Sequence, residues 1–188
     1  MTKKEKIKIK KYKAENKKLI KKYPWLKHIN YNNKHSLVFL DYIPKGWSKA
    51  FGRLLLEDLD REIKKSKLVD KFKILEIKEK FGELRIYTSG ENEEIARIID
   101  DYSVLSRNIC LICGKPDVPM TYDGWHFPCC EKCWDKLGYK NDLYKKYLEK
   151  DCNMVNHYTV RRFSVDGYVD KTIDISDKAK KIRDNYRY

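Results

Sequence analysis

The sequence predicts an α+β protein made of short antiparallel hairpins and amphipathic helices. Three observations predict it. Apolar residues recur at helical spacing from Trp47 to Ile63 and again from Ile95 to Leu105. Runs rich in β-branched and aromatic residues are broken at Phe81-Gly82, Asp123-Gly124 and Asp166-Gly167, the turn chemistry of hairpins. Four cysteines stand in two pairs, Cys110-Leu111-Ile112-Cys113 and Cys130-Glu131-Lys132-Cys133, with sixteen residues between the pairs.

Taken in order, residues 1–12 mix charge with isoleucine and predict no stable element. Ala14 to Tyr23 can form a short helix that Pro24 ends, and Trp25 and Leu26 offer an apolar anchor to the body. Ser36 to Ile43 reads as a strand, broken by Pro44-Lys45-Gly46. A helix is expected from Trp47 to about Lys67, burying Trp47, Phe51, Leu54, Leu55, Leu59 and Ile63, with Glu57 placed to pair with Arg61. Asp70 to Lys80 and Leu84 to Thr88 form a hairpin about Gly82. Asn92 is the expected N-cap of the next helix, Glu93 and Glu94 complement its first turn, and Ile95, Ile98, Ile99, Tyr102 and Leu105 form its buried stripe.

The cysteine segment follows from Asn108. Gly114 permits a tight knuckle after Cys113, and Val118 to Tyr122 with Gly124 to Phe127 form a short hairpin. Cys130 and Cys133 then open a helix that continues through Trp134, Leu137, Leu143, Tyr147 and Leu148, with Gly138 as a point of interruption. A last hairpin joins Tyr158–Val165 to Tyr168–Ile175, and Ser176 is placed to cap a basic helix. The expected segments are a basic arm (1–35), an α+β body (36–106), a four-cysteine module (107–150) and a C-terminal hairpin with a basic tail (151–188).

Composition excludes several classes. A chain of 188 residues, 41% hydrophobic and 13% aromatic, is long enough to bury about 70% of its unfolded surface. No run of about 18 apolar residues exists to span a membrane. The lysine-rich start lacks the apolar stretch of a signal peptide. A cytoplasmic setting with reduced thiols is therefore expected, and the six cysteines read as metal ligands and spares instead of a disulfide framework. Cys110, Cys113, Cys130 and Cys133 have the spacing of a closed structural Zn²⁺ site, in a treble-clef or zinc-ribbon-like module. Cys129 can take the place of Cys130, and His126 is another substitute ligand. Cys129 or Cys152 as a nucleophile needs a base, for which His126 and His157 are the nearby histidines.

The net charge is +14, and thirteen lysines against two acids in residues 1–35 supply +11 of it, leaving +3 for the rest. Lys8, Lys10, Lys11, Lys13, Lys17, Lys18, Lys21 and Lys22 are the candidate contacts to a polyanion. Lys80, Phe81, Arg85 and Tyr87 interleave cations and aromatics, but the expectation is that Phe81 and Tyr87 pack in the core, and the same caution applies to Arg161, Arg162, Tyr158 and Phe163.

Pro44-Lys45-Gly46-Trp47, Lys49-Ala50-Phe51-Gly52, the run from Ile77 to Arg85, Gly124-Trp125 and the two cysteine pairs together resemble a largely uncharacterised family of small bacterial and phage-encoded zinc-binding proteins, over roughly residues 23–137. That resemblance implies an origin in a phage, prophage or other mobile element, and hence a host bacterial cytoplasm; it implies no activity. The expectation is a non-enzymatic protein that binds nucleic acid or a nucleic-acid-containing complex through the lysine-rich arm. The alternative is a protein-directed inhibitor of a host defence system, for example a defence nuclease such as a CRISPR effector. A metal-dependent nuclease is a third reading, for which His126 is the sole candidate base, since Trp134 to Tyr139 brings no second histidine.

Overall fold

Pro24 cannot extend a helix, and the chain turns there. A computed structural model describes residues 18–26, 43–122, 124–139, 141–148, 154–164 and 167–186, and begins with a helical turn over 18–22 followed by a 3₁₀ turn, Pro24–Leu26. Trp25 and Leu26 are buried, as expected of an anchor. The Trp25 ring meets Phe72 edge-on at 5.6 Å, and its indole N–H donates to Asp60 Oδ1 at 3.0 Å. Lys18, Lys21 and Lys22 are exposed. Lys8, Lys10, Lys11, Lys13, Lys17 and all of the strand expected from Ser36 to Ile43 except Ile43 lie outside the described residues.

The next helical stretch begins earlier than expected, with α1 (Lys45–Trp47), a π turn (Ser48–Gly52) and α2 (Arg53–Lys65) running on without a break. The extra residue of a π turn rotates the rest of the helix about its axis, so Leu54 is only partly buried while Leu55, Leu56, Leu59 and Ile63 fill the core. The Glu57–Arg61 pair does not form. Asp58, held on the half-buried side by the Tyr102 hydroxyl (2.8 Å), takes Arg61 at 2.5 Å, and Glu57 faces Arg53 at 3.8 Å. Lys67, at φ 55°, ends the helix: its N–H reaches Lys64 O (3.1 Å) and the Leu68 N–H reaches Ile63 O (2.9 Å), the paired bonds of a Schellman stop.

β1 (Lys73–Lys80) and β2 (Glu83–Ser89) form the expected antiparallel hairpin. Phe81 and Gly82 occupy its turn with φ of 53° and 76°, both positive as a type I′ turn requires. Its inner face, with Ile77 and Leu84 buried, packs on α3 (Glu93–Ser106). Asn92 caps α3 as expected, its Oδ1 accepting from Ile95 N–H at 2.8 Å, and Ile95, Ile98, Ile99, Tyr102 and Leu105 are all buried.

A second hairpin, β3 (Met120–Tyr122) with β4 (His126–Pro128), precedes α4 (Glu131–Lys136). Gly138, at φ 81°, ends that helix and α5 (Asn141–Leu148) starts anew. The interruption falls at the glycine the sequence marks, and Leu137 and Leu148 on either side of it are exposed. The third hairpin pairs β5 (His157–Ser164) with β6 (Gly167–Asp174) and leads to α6 (Ser176–Tyr186). Ser176 is the first residue of α6 and not its cap; Asp174 accepts the Ser176 N–H at 2.8 Å. Cys152 and the side chains of Arg161, Arg162 and Phe163 lie outside the described part of the chain.

One main core gathers Tyr23, Trp25 and Leu26 with the large side chains of α2 and α3, and with Met154, Ile175, Ala179 and Ile182 from the C-terminal end. Two polar ties fix that end. Fully buried Asp101 on α3 accepts from the Tyr158 hydroxyl (2.8 Å), from Arg97 (3.2 Å) and from Lys178. Asp117 takes both Arg183 nitrogens, at 2.8 and 2.9 Å, and the Met154 N–H at 2.9 Å. Burial works to raise the pKa of Asp117, but Arg183 and the Met154 amide hold it below the ordinary carboxylate value. No described helix is long and apolar enough to cross a membrane.

Candidate metal centre

Two cysteines separated by two residues reach one point only if the chain folds back between them. At Cys110–Gly114 it does: the Gly114 N–H donates to Cys110 O (2.9 Å), the Cys110 N–H donates to Lys115 O (2.8 Å), and Gly114 turns the chain at φ 85°. The second pair sits at the start of α4, where Cys130 holds the N-cap position and its carbonyl accepts from Cys133 N–H (3.0 Å) and Trp134 N–H (2.9 Å).

These bends bring the sulfurs of Cys110, Cys113, Cys130 and Cys133 within 4.8 Å of one another, and Cys113 Sγ lies 3.6 Å from Cys130 Sγ. A tetrahedron with metal–sulfur bonds of about 2.3 Å needs sulfurs about 3.8 Å apart. The four residues therefore fit a metal ion. All four are free of disulfides, and three are buried. Cys129 and His126 are not in this group. Cys129 is buried beside it, its thiol directed at Cys130 O (3.4 Å). His126 is exposed on β4, with its ring 4.6 Å from that of Tyr122 and not against Trp125.

The crowded thiols oppose one another's ionisation. Hydrogen bonds from Cys129 and Cys130 push the Cys110 thiol far below its usual pKa. The same contacts with Cys110, then burial, push Cys129 and Cys130 well up, and burial raises Cys133 to about 11. A bound divalent cation inverts this pattern, because its charge holds coordinating thiols deprotonated.

Residues far away in sequence hold the centre in place. The Gly46 N–H donates to Leu111 O at 2.9 Å, and the buried Trp47 indole N–H donates to Ile109 O at 2.8 Å. A β-carbon on Gly46 would stand 2.2 Å from Cys110 O and 2.7 Å from the Leu111 carbonyl carbon; one on Gly114 would stand 2.6 Å from Gly46 O. Gly82, in the β1–β2 turn, is as tightly set against the Met120 sulfur, at 2.5 Å from the position of its missing Cβ. The knuckle thus lies directly on the N-terminus of α1, and the second hairpin lies against the turn of the first. A smaller apolar cluster completes the module, with fully buried Trp134 packed on Tyr139 (4.2 Å) and Phe127 (6.1 Å), and the Tyr144 hydroxyl donating to Cys129 O at 3.1 Å.

The structure also corrects one expectation. Phe81 and Tyr87 are not core residues: they are 60% and 44% exposed. Leu84 and Ile86 already take the inward positions of β2, so strand alternation turns Arg85 and Tyr87 outward. That alternation was present in the sequence. The stack of Phe81 on Trp125 was not, because it joins two separate hairpins. Comparison with known proteins finds no matching family model, no matching curated protein and no matching solved structure.

Proposed function

We propose that this chain is a zinc-containing, non-enzymatic protein of a mobile element that binds nucleic acid, or a complex containing it, through its lysine-rich N-terminal segment. The observation that carries the reading is the segregation of charge: residues 1–35 hold +11 of the net +14. Such a segment gains affinity for a polyanion by releasing counterions. Trp25 and Leu26, anchored in the core, join that segment to the rest of the protein, and Lys18, Lys21 and Lys22 beside them face solvent. Four soft thiolate donors suit Zn²⁺ best among common cellular metals. The order of knuckle, hairpin and ligand-bearing helix supports a treble-clef reading, in which the metal would have a structural role. Mobile-element origin rests on the motif resemblance, and the host bacterial cytoplasm is the setting it entails.

The test replaces the eight lysines from Lys8 to Lys22 with glutamine, which leaves Tyr23, Trp25 and Leu26 in the core. Affinity for a labelled oligonucleotide is measured against salt. The wild-type logarithmic slope should exceed that of the variant by up to about 6, at about 0.7 per neutralised phosphate on a single strand. Equal slopes would remove the arm from the interface. Absence of any nucleic-acid binding would overturn the reading and leave the protein-directed inhibitor in its place.

A further inference from the structure

We propose that the outer face of the β1–β2 hairpin, ending in the stacked rings of Phe81 and Trp125, is a binding track for single-stranded nucleic acid. This rests on the proposed nucleic-acid reading and assigns the surface that reads unpaired bases.

Four observations carry it. The rings of Phe81 and Trp125 stack at 6.0 Å with a 27° interplanar angle, yet 60% and 52% of these residues stay exposed. Second, Phe81 occupies the left-handed backbone region, at φ 53°. Asparagine or aspartate before glycine suits a type I′ turn far better than a bulky ring. The turn thus carries a solvent-facing aromatic at a position that disfavours it. Third, Trp125 is oriented by its indole N–H on Glu79 Oε2 (3.3 Å), while Glu79 Oε1 accepts the Gly82 N–H, so one carboxylate positions both tips. Fourth, the outer face is cationic and aromatic together. Strand register places Lys73, Lys78, Lys80 and Arg85 there; Glu76 pairs with Lys78 (2.8 Å) and Glu83 with Arg85 (3.0 Å), which leaves a net charge of +2 from Lys73 and Lys80. The Lys80 ammonium lies 5.5 Å from the Phe81 centroid, and Lys78 lies 5.0 Å from that of half-exposed Tyr87.

The chemistry matches a single strand better than a duplex. Rings this exposed can stack unpaired bases of any identity once the ammonium groups lying over Phe81 and Tyr87 turn to the phosphates. The location fits as well. Trp25 packs on Phe72 at the entry to β1, so the described end of the lysine segment, residues 18–26, lies near the start of β1, and the aromatic pair lies at the other end, roughly 25 Å away along an eight-residue strand.

The experiment uses the full, zinc-loaded chain. Anisotropy titrations compare labelled oligothymidylate and oligouridylate with an abasic strand of equal length and charge, and with a duplex. Wild type should bind the base-bearing strands about five- to a hundredfold more tightly than the abasic one. Phe81→Asn should erase that preference and leave the salt slope unchanged. Asparagine accepts the same backbone, so its melting temperature should hold or rise. Tyr87→Ser, on the strand face and outside the turn, gives a second variant of the same sign. If Phe81→Asn keeps the base preference, or if its only effect is a lower melting temperature, the track is wrong while arm-driven binding stands. Equal binding of abasic strand, or preference for duplex, likewise overturns the track. Failure of wild type to bind any nucleic acid removes the underlying reading as well.

Discussion

Replacing Gly46 with alanine sets two physical effects against each other. Gly46 is the middle residue of α1. By helix propensity alone, alanine there should stabilise by about 0.5–1 kcal/mol. The knuckle contact predicts the opposite. The new methyl would lie 2.2 Å from Cys110 O and 2.7 Å from both Leu111 C and Leu111 O, and all three are backbone atoms of the metal-binding loop. They cannot rotate aside as a flexible side chain can. Forcing a methylene-sized group into such a contact costs about 1–3 kcal/mol. Separating the two surfaces also weakens the Gly46 N–H bond to Leu111 O and the Trp47 indole bond to Ile109 O, at about 1 kcal/mol each. The net expectation is a loss of about 2–4 kcal/mol, or roughly 5–15 °C in melting temperature for a chain of this size. Urea unfolding of the metal-loaded protein measures it, and competition with a chelator should show weaker metal binding in the same variant, because the displaced atoms belong to the ligand Cys110 and its neighbour Leu111. A Gly46→Ala protein more stable than wild type would refute the docking argument outright.

The site and the polar ties lead to further outcomes. The chain should bind one Zn²⁺, and Co²⁺ in its place should show thiolate charge-transfer absorption. Cys133→Ala should abolish that signal and loosen the packing around Trp134, whereas Cys129→Ala and His126→Ala should retain it; loss of the signal in Cys129→Ala would mean that the ligand set is misassigned. Asp117→Asn keeps a residue tolerant of φ 54° but leaves Arg183 without its carboxylate, and should cost about 1 kcal/mol at neutral pH. Because the folded-state pKa of Asp117 lies below its ordinary value, that contribution is complete above about pH 4 and disappears as pH falls through the depressed value. The stability difference between wild type and Asp117→Asn should accordingly be constant from pH 8 to 5; a difference that shrinks across that range would contradict the assignment.

Local signals were legible in the sequence. Asn92 and the α3 stripe rest on contacts within one helix, and the thiol pairs rest on spacing, so neither needed knowledge of what lies opposite. The Phe81–Gly82 turn was legible for the same reason. What failed was coupled to distant residues. Glu57 lost Arg61 because Tyr102, from another helix, fixes Asp58 as the better partner. The π turn in Ser48–Gly52 shifted the buried stripe of α2, and no residue type within that turn announces it. The reason for glycine at 46 is the carbonyl of Cys110, sixty-four positions on. Asp101 reads as one acid on a charged helix, and its three partners come from α3, β5 and α6.

The main core draws on Tyr23 and on Ile182 alike. During synthesis at about 5–20 residues per second, the stretch between them takes roughly ten to thirty seconds to emerge. Through that interval Trp47, Phe51 and the leucines of α2 have no complete cover. The thiol module is different, for its candidate ligands span only Cys110 to Cys133 and the apolar cluster around them ends at Tyr147; from α6 only Tyr186 is added, at Cys113. It can capture its metal while α6 is still unmade, and the knuckle then offers Gly46 and Trp47 a rigid surface to settle on. On the proposed Zn²⁺ reading, the ion would act in this order of assembly as an early template, and its supply would set how long the unfinished chain stays open to proteases and to its neighbours.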